Sequence, residues 1–94
     1  MFELSGFQRD LLVVIAGLDE PSGQDVKENL EAVYGTEINH GRLYPNLDTL
    51  VQQGYVEKGT LDRRTNFYAV TDHGLDTLRE WADWQRDTVP QIAH

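Results

Sequence analysis

The sequence has no cysteine, only two lysines, three prolines and no unbroken apolar run long enough to span a bilayer. Without cysteine there is no disulfide framework, thiolate metal ligand or thiol redox sensor. A membrane helix needs about 18 or more consecutive apolar residues, and the opening "MFELSG" carries an acid where a secretory leader carries basic residues. A cytoplasmic protein with no membrane partner is expected. His40, His73 and His94 share no metal-ligand spacing, so neither metal nor cofactor is expected. A phosphate-binding loop, a dinucleotide glycine turn and a nucleophile elbow are all missing, which leaves scattered carboxylates and no enzyme.

What is present fits one modest domain: 94 residues with 39% hydrophobic content can bury one core and not two. The net charge is −8. That total argues against nucleic acid, where Lys and Arg neutralise phosphate, but its distribution argues otherwise. Residues 36 to 70 hold four basic side chains (Arg42, Lys58, Arg63, Arg64) and four acidic ones (Glu37, Asp48, Glu57, Asp62), so the whole excess lies outside this block. Acids spread over the remaining surface suit solubility at high salt, and an extreme halophile is the expected source.

The pattern of the chain gives five elements. Ser5 and Gln8 form a capping-box pair ahead of Phe7, Leu11, Val14, Ile15 and Leu18 at helical spacing, with a stop near Gly17. After a turn bracketed by Pro21 and Gly23, Ser22 caps a second helix whose aligned residues are Val26, Leu30, Val33 and Tyr34, ended by Gly35. Asn39 caps a third, with Leu43, Leu47, Leu50 and Val51 on one side and Gly54 as the stop. "YVEKGTL" and "NFYAV" around "DRRT" read as a hairpin. A last helix starts at a Thr71 cap and runs to about Thr88, before Pro90.

Helix, turn, helix, hairpin is the order of a winged helix-turn-helix. The expected fold is therefore mainly α with a small β-hairpin, residues 1–71 forming the winged domain and 72–94 one C-terminal dimerisation helix and tail, in a single compact unit. Leu75, Leu78, Ala82 and Val89 form one edge of the last helix's apolar arc and Trp81 and Trp84 the other. That arc is far wider than the stripe of about 100° a helix buries on its own domain. A second copy of the chain is the simplest partner, with Phe2, Leu4, Leu78, Trp81, Trp84, Gln85 and Thr88 at the interface.

"GRLYPNLDTLVQQGYV" resembles the PadR family of transcriptional regulators, matching its G-x-L-Y-x-x-L-x-x-L-x-x-x-G-x-[IV] pattern through Gly41, Leu43, Tyr44, Leu47, Leu50, Gly54 and Val56. Tyr68, Val70, Thr71 and Gly74 meet a second pattern, Y-x-[LV]-T-x-x-G, and "SGQDV" is similar to the family's start of helix two. The wing departs from the family's basic, glycine-rich form: it is the compact "DRRTN", and Ser22 and Gln24 stand in for His and Tyr. The resemblance implies DNA binding and, as in short family members, a single dimerising helix.

Opposite the leucine ladder of helix 40–53 lie Arg42, Pro45, Thr49 and Gln52, flanked by Gly41 and Asn46. A recognition helix offers its front residues to base edges. Arg42 suits guanine O6 and N7 or a phosphate, and Asn46 suits adenine. The hydroxyl of Tyr44 could reach a phosphate while its ring packs, or the residue could serve packing alone. In the wing, 58–66, Lys58, Arg63, Arg64 and Thr65 are candidates for the backbone or minor groove. The expected function is that of a homodimeric DNA-binding regulator, a repressor, on double-stranded DNA with a pseudo-palindromic operator. The alternative is an acidic winged-helix adaptor that binds proteins and no DNA. The two tryptophans also leave open a small aromatic effector pocket at the dimer seam.

Overall fold

The computed structural model describes residues 3–60, 62 and 65–92. Among them are helices α1 (Gly6–Gly17), α2 (Gly23–Tyr34), α3 (His40–Gln52) and α4 (Asp72–Thr88), strands β1 (Val56–Thr60) and β2 (Asn66–Val70), and a short 3-10 turn, Pro90–Ile92. Phe2, Arg63 and Arg64 lie outside the described residues.

The helix ends follow from side-chain chemistry. Ser5 accepts from the Gln8 backbone N–H while the Gln8 amide accepts from the Ser5 N–H, and Ser22 and Asp25 repeat this capping box at α2. Thr71 does two jobs at α4: its hydroxyl accepts from the Gly74 N–H and donates to the Gly54 carbonyl at 2.6 Å. Gly54, at φ 80°, closes α3, with the Tyr55 N–H returning to the Leu50 carbonyl. Asn39 occupies the cap position of α3 but makes no side-chain cap bond, contrary to the expectation from sequence.

β1 and β2 pair antiparallel, Val56 opposite Val70 and Thr60 opposite Asn66. The chain just before α2 joins them: Ser22 bridges Phe67, and the Tyr68 N–H donates to the Pro21 carbonyl at 2.9 Å. Pro21 and Ser22 thus extend the hairpin by a third short edge rather than forming only a turn.

Leu11, Leu12 and Ile15 of α1, Val26 and Leu30 of α2, Leu43, Leu47 and Leu50 of α3, and Val56 and Tyr68 of the hairpin form one core. Each such aliphatic side chain, fully buried, contributes roughly 1.5–3 kcal/mol. Leu4 belongs to this core, 5% exposed, so it does not line a surface for a second chain. Val33 departs from expectation the other way and is 75% exposed. Tyr34 makes the α1–α2 contacts at this end of α2, against Phe7 and Asp10, and Val33 lies with Val13, Val14 and Leu30 along a shallow groove of about 150 Å³.

α4 is committed only over its first half. Gly74 and Thr77 are buried and Leu78 packs on the core. Beyond them, Trp81 takes the Arg9 guanidinium over its ring at 5.1 Å, while Trp84, Val89 and Ile92 remain exposed. The projecting end of α4 helps make the molecule 47 × 29 × 22 Å.

Candidate nucleic-acid interface

The turn between α2 and α3 is held by Glu31, whose carboxylate accepts from the Ile38 N–H at 2.7 Å and from Lys27 Nζ at 3.0 Å. Those two donors, the backbone N–H first, keep the Glu31 carboxyl below its ordinary range. Ile38 is buried at the end of the turn, so the clamp fixes where α3 departs.

On α3 the leucine face is inward, and Gly41, Arg42, Tyr44, Pro45, Asp48 and Gln52 are exposed. Pro45 stands inside the helix on this outer surface. Arg42 is not extended into solvent: its guanidinium lies over the Phe7 ring at 3.9 Å. Thr49 is half-buried, its hydroxyl donating back to the Pro45 carbonyl at 3.0 Å.

Asn46 lies on the flank toward α1. Its Oδ1 accepts from Gln8 Nε2 at 3.0 Å, and its Nδ2 donates to the Arg42 carbonyl at 2.7 Å. Both ends of the amide are held within the chain. Its place on α3, between the ladder and the outer face, turns it onto the neighbouring helix.

Tyr44 bridges to α2. Its ring and hydroxyl pass so close to Gly23 that a β-carbon there would stand 2.9 Å from both Cε1 and the oxygen. His40 meets the same ring edge-on, centroids 5.6 Å apart. Ser22, Gly23, Gln24, Tyr44, Thr65, Asn66 and Tyr68 line an open cleft of about 340 Å³, which joins the start of α2, the front of α3 and the base of the wing. Tyr68 forms its floor, its hydroxyl held above the ordinary range by burial and then by Asp48 and Tyr44 nearby.

In the wing, the Thr65 N–H donates to Asp62 Oδ1 at 2.8 Å, Thr65 is half-buried, and Lys58 is exposed on β1 opposite Tyr68. Of the expected dimer residues, Trp84 and Thr88 are exposed, Trp81 and Gln85 half-buried, and Leu78 packed inward.

The sequence reading missed Phe7, Gln8 and Gly23 as residues that shape this surface. Gln8 was legible only as a cap, although one amide oxygen serves the cap and leaves its NH2 group for a second bond. Among the described residues no three His, Asp or Glu side chains are grouped to hold a metal, and no helix is long and apolar enough to cross a membrane.

A two-helix turn followed by a hairpin, with the second helix presenting a polar outer face beside the wing, defines a winged helix-turn-helix. Residues 11–80 match the Transcriptional regulator PadR-like family, and the chain belongs to that family of transcription regulators, not to an enzyme class. It is similar to RosR of H. salinarum, 44% identical with a TM-score of 0.88, the match covering 98% of this chain and 81% of that one. It is also similar in fold to Bacillus subtilis PadR, solved in complex with operator DNA, at 23% identity and a TM-score of 0.72 over 83% of this chain and 47% of that one. The transcriptional activator GvpE of Haloferax mediterranei is 29% identical over 62 residues, which is 66% of this chain. The chain spans about a third, 32%, of that activator's length.

Proposed function

We propose that the chain is a sequence-specific, double-stranded-DNA-binding regulator acting as a homodimer, with α3 of each subunit in successive major grooves of a pseudo-palindromic operator and the wing on the backbone or minor groove. The observation that carries this is the cleft joining the start of α2, Tyr44 of α3 and the wing base beside the exposed front of α3. Such a surface offers backbone and side-chain donors to a phosphate next to a helix that fits a groove.

Arg42 is the reader, leaving or working from its seat on Phe7 to fork onto guanine. Gly41 and Pro45 keep the approach free of bulk, and Thr49 packs at the edge of the contact. Tyr44, Lys58, Arg63, Arg64 and Thr65 contact phosphates, with Tyr44 aimed by its bed on Gly23. The seam between subunits is the far end of α4, where Trp84, Thr88 and Val89 are exposed and Gln85 is half-buried. Repression follows if the operator overlaps a promoter. An acidic surface with its neutral block at α3 and the wing suits function at high salt, where screening over about 3 Å in molar KCl removes most long-range repulsion from DNA, and supports a cytoplasmic protein of a halophile.

Arg42→Ala is expected to cost roughly 1–3 kcal/mol of discrimination, about 5- to 150-fold in specific affinity, with the fold unchanged. Gly23→Ala forces the Tyr44 ring off its bed; because the obstacle is the end of a side chain, the melting temperature should barely fall while affinity for all duplexes drops by a similar factor. A DNA-shift titration over a wide range of KCl checks both and tests the reading itself. Retention of some duplexes and not others supports it, whereas no retention at any salt favours the protein-binding adaptor.

A further inference from the structure

We infer that α1 is a positioning element for the DNA-reading helix, with Gln8 as the residue that sets the geometry of its front turn. The inference rests on the proposed role of α3 in binding DNA and extends it to a helix that does not itself enter a groove.

The front of α3 is held poorly by its own chain. Asn39 stands at the cap position but makes no side-chain cap bond. Pro45 has no N–H to give the Gly41 carbonyl, so the first turns lack one of their usual hydrogen bonds. The turn that should carry Arg42 to a base edge is thus short of two restraints that helices commonly have at this position.

α1 provides replacements. The Ser5 N–H donates to Gln8 Oε1 at 3.0 Å. Because that donor fixes which end of the amide is oxygen, the NH2 group of Gln8 faces Asn46 and donates to its Oδ1 at 3.0 Å. Asn46 must then turn its own NH2 the other way, where it donates to the Arg42 carbonyl at 2.7 Å. Each bond in this relay dictates the direction of the next, and it starts at a backbone group that cannot flip. One residue earlier, Phe7 lies beneath the Arg42 guanidinium at 3.9 Å. One residue later, Arg9 reaches over Trp81 of α4. Three consecutive residues of α1 therefore touch the backbone-holding amide of α3, its leading arginine and the projecting helix.

The consequence is specificity determined at a distance. A change at Gln8 should alter which duplexes are preferred without altering how strongly DNA in general is held. Gln8→Glu separates these effects, because it keeps an oxygen for the Ser5 N–H and an acid in the first helical turn is favourable, yet it removes the donor to Asn46. The reoriented Asn46 amide would then oppose its oxygen to the Arg42 carbonyl.

The test uses the full chain and a random-core duplex library selected in molar KCl, followed by titration of the selected and a scrambled duplex. For Gln8→Glu the ratio of the two affinities is expected to fall roughly tenfold, the range one base contact discriminates, with scrambled-duplex affinity and melting temperature unchanged. Gln8→Glu combined with Asn46→Ala should be no worse than Asn46→Ala alone, since both break one relay. An unchanged ratio, additive losses in the double variant, or equal loss on both duplexes with a lower melting temperature would each overturn the inference while leaving DNA binding intact. If the unmodified chain enriches no sequence, both this inference and the DNA-binding reading fall.

Discussion

Gly74→Ala should lower the melting temperature by roughly 15 °C. A β-carbon at Gly74 would stand 2.3 Å from the Tyr55 carbonyl oxygen and 2.8 Å from Val70 Cγ2. The first obstacle is backbone, and that backbone is itself occupied, because the Tyr55 carbonyl accepts from the Thr71 N–H at 3.1 Å. No rotamer change relieves the clash, so α4 must lift off the end of α3. Overpacking of this kind costs typically 1–3 kcal/mol, and in a domain of this size each kcal/mol moves the midpoint by about 4–8 °C. Thermal unfolding followed by circular dichroism measures it; a shift of only a few degrees would mean that the first turn of α4 is not the wedge described. The glycine of the second family pattern is therefore a packing requirement, as is its threonine, which ties α4 to Gly54.

Trp84→Glu should separate the proposed dimer and, with it, abolish most operator affinity. Trp84 is 45% exposed near the free end of α4, with Val89 and Ile92 exposed beyond it. Trp81 is half-buried against Arg9, whereas Trp84 is the more exposed of the two tryptophans. A carboxylate placed in a desolvated apolar seam is costly, whereas on a solvated monomer it is tolerated, so the monomer should keep its helical spectrum. Losing one of two linked half-site contacts removes an avidity term of about 10²–10⁴-fold. Light scattering with a DNA shift on the same sample measures both. A Trp84→Glu protein that remains dimeric would place the interface elsewhere, for instance on the rim formed by Val13 and Val33.

Much of this was legible in the sequence because the signals are local. The caps Ser5, Ser22 and Thr71, the stops at Gly35 and Gly54, and the spacing of Leu43, Leu47 and Leu50 each act within a turn or two of chain, and helix α3 was placed to within a residue. The wide apolar arc of α4 was visible as well, although its two edges have different uses: Leu78 faces its own core, and Trp84 does not.

What was not legible depends on contacts across the fold. Leu4 could not be distinguished from a surface apolar residue until α1 was seen to carry it into the core. Val33 fits the apolar face of α2 by angle alone, but α1 does not reach it. The edge pairing of Pro21 and Ser22 with β2 involves main-chain groups whose sequence carries no strand signal. The partner of Asn46 was not legible either: its position on the helix suggested a base, and the amide is held by Gln8, 38 residues away. A side chain's partner, unlike its face, is not encoded by periodicity.

Hydrogen exchange of the full chain, with and without a selected duplex in molar KCl, tests the central claim most directly. Slowed exchange is expected at the front of α3, the start of α2 and both strands of the wing, with little change on the outer faces of α1 and α2 around Val13 and Val33. Retention of the duplex with protection confined to those outer faces, or no change in α3 at saturating DNA, would contradict a winged helix that reads DNA through its third helix.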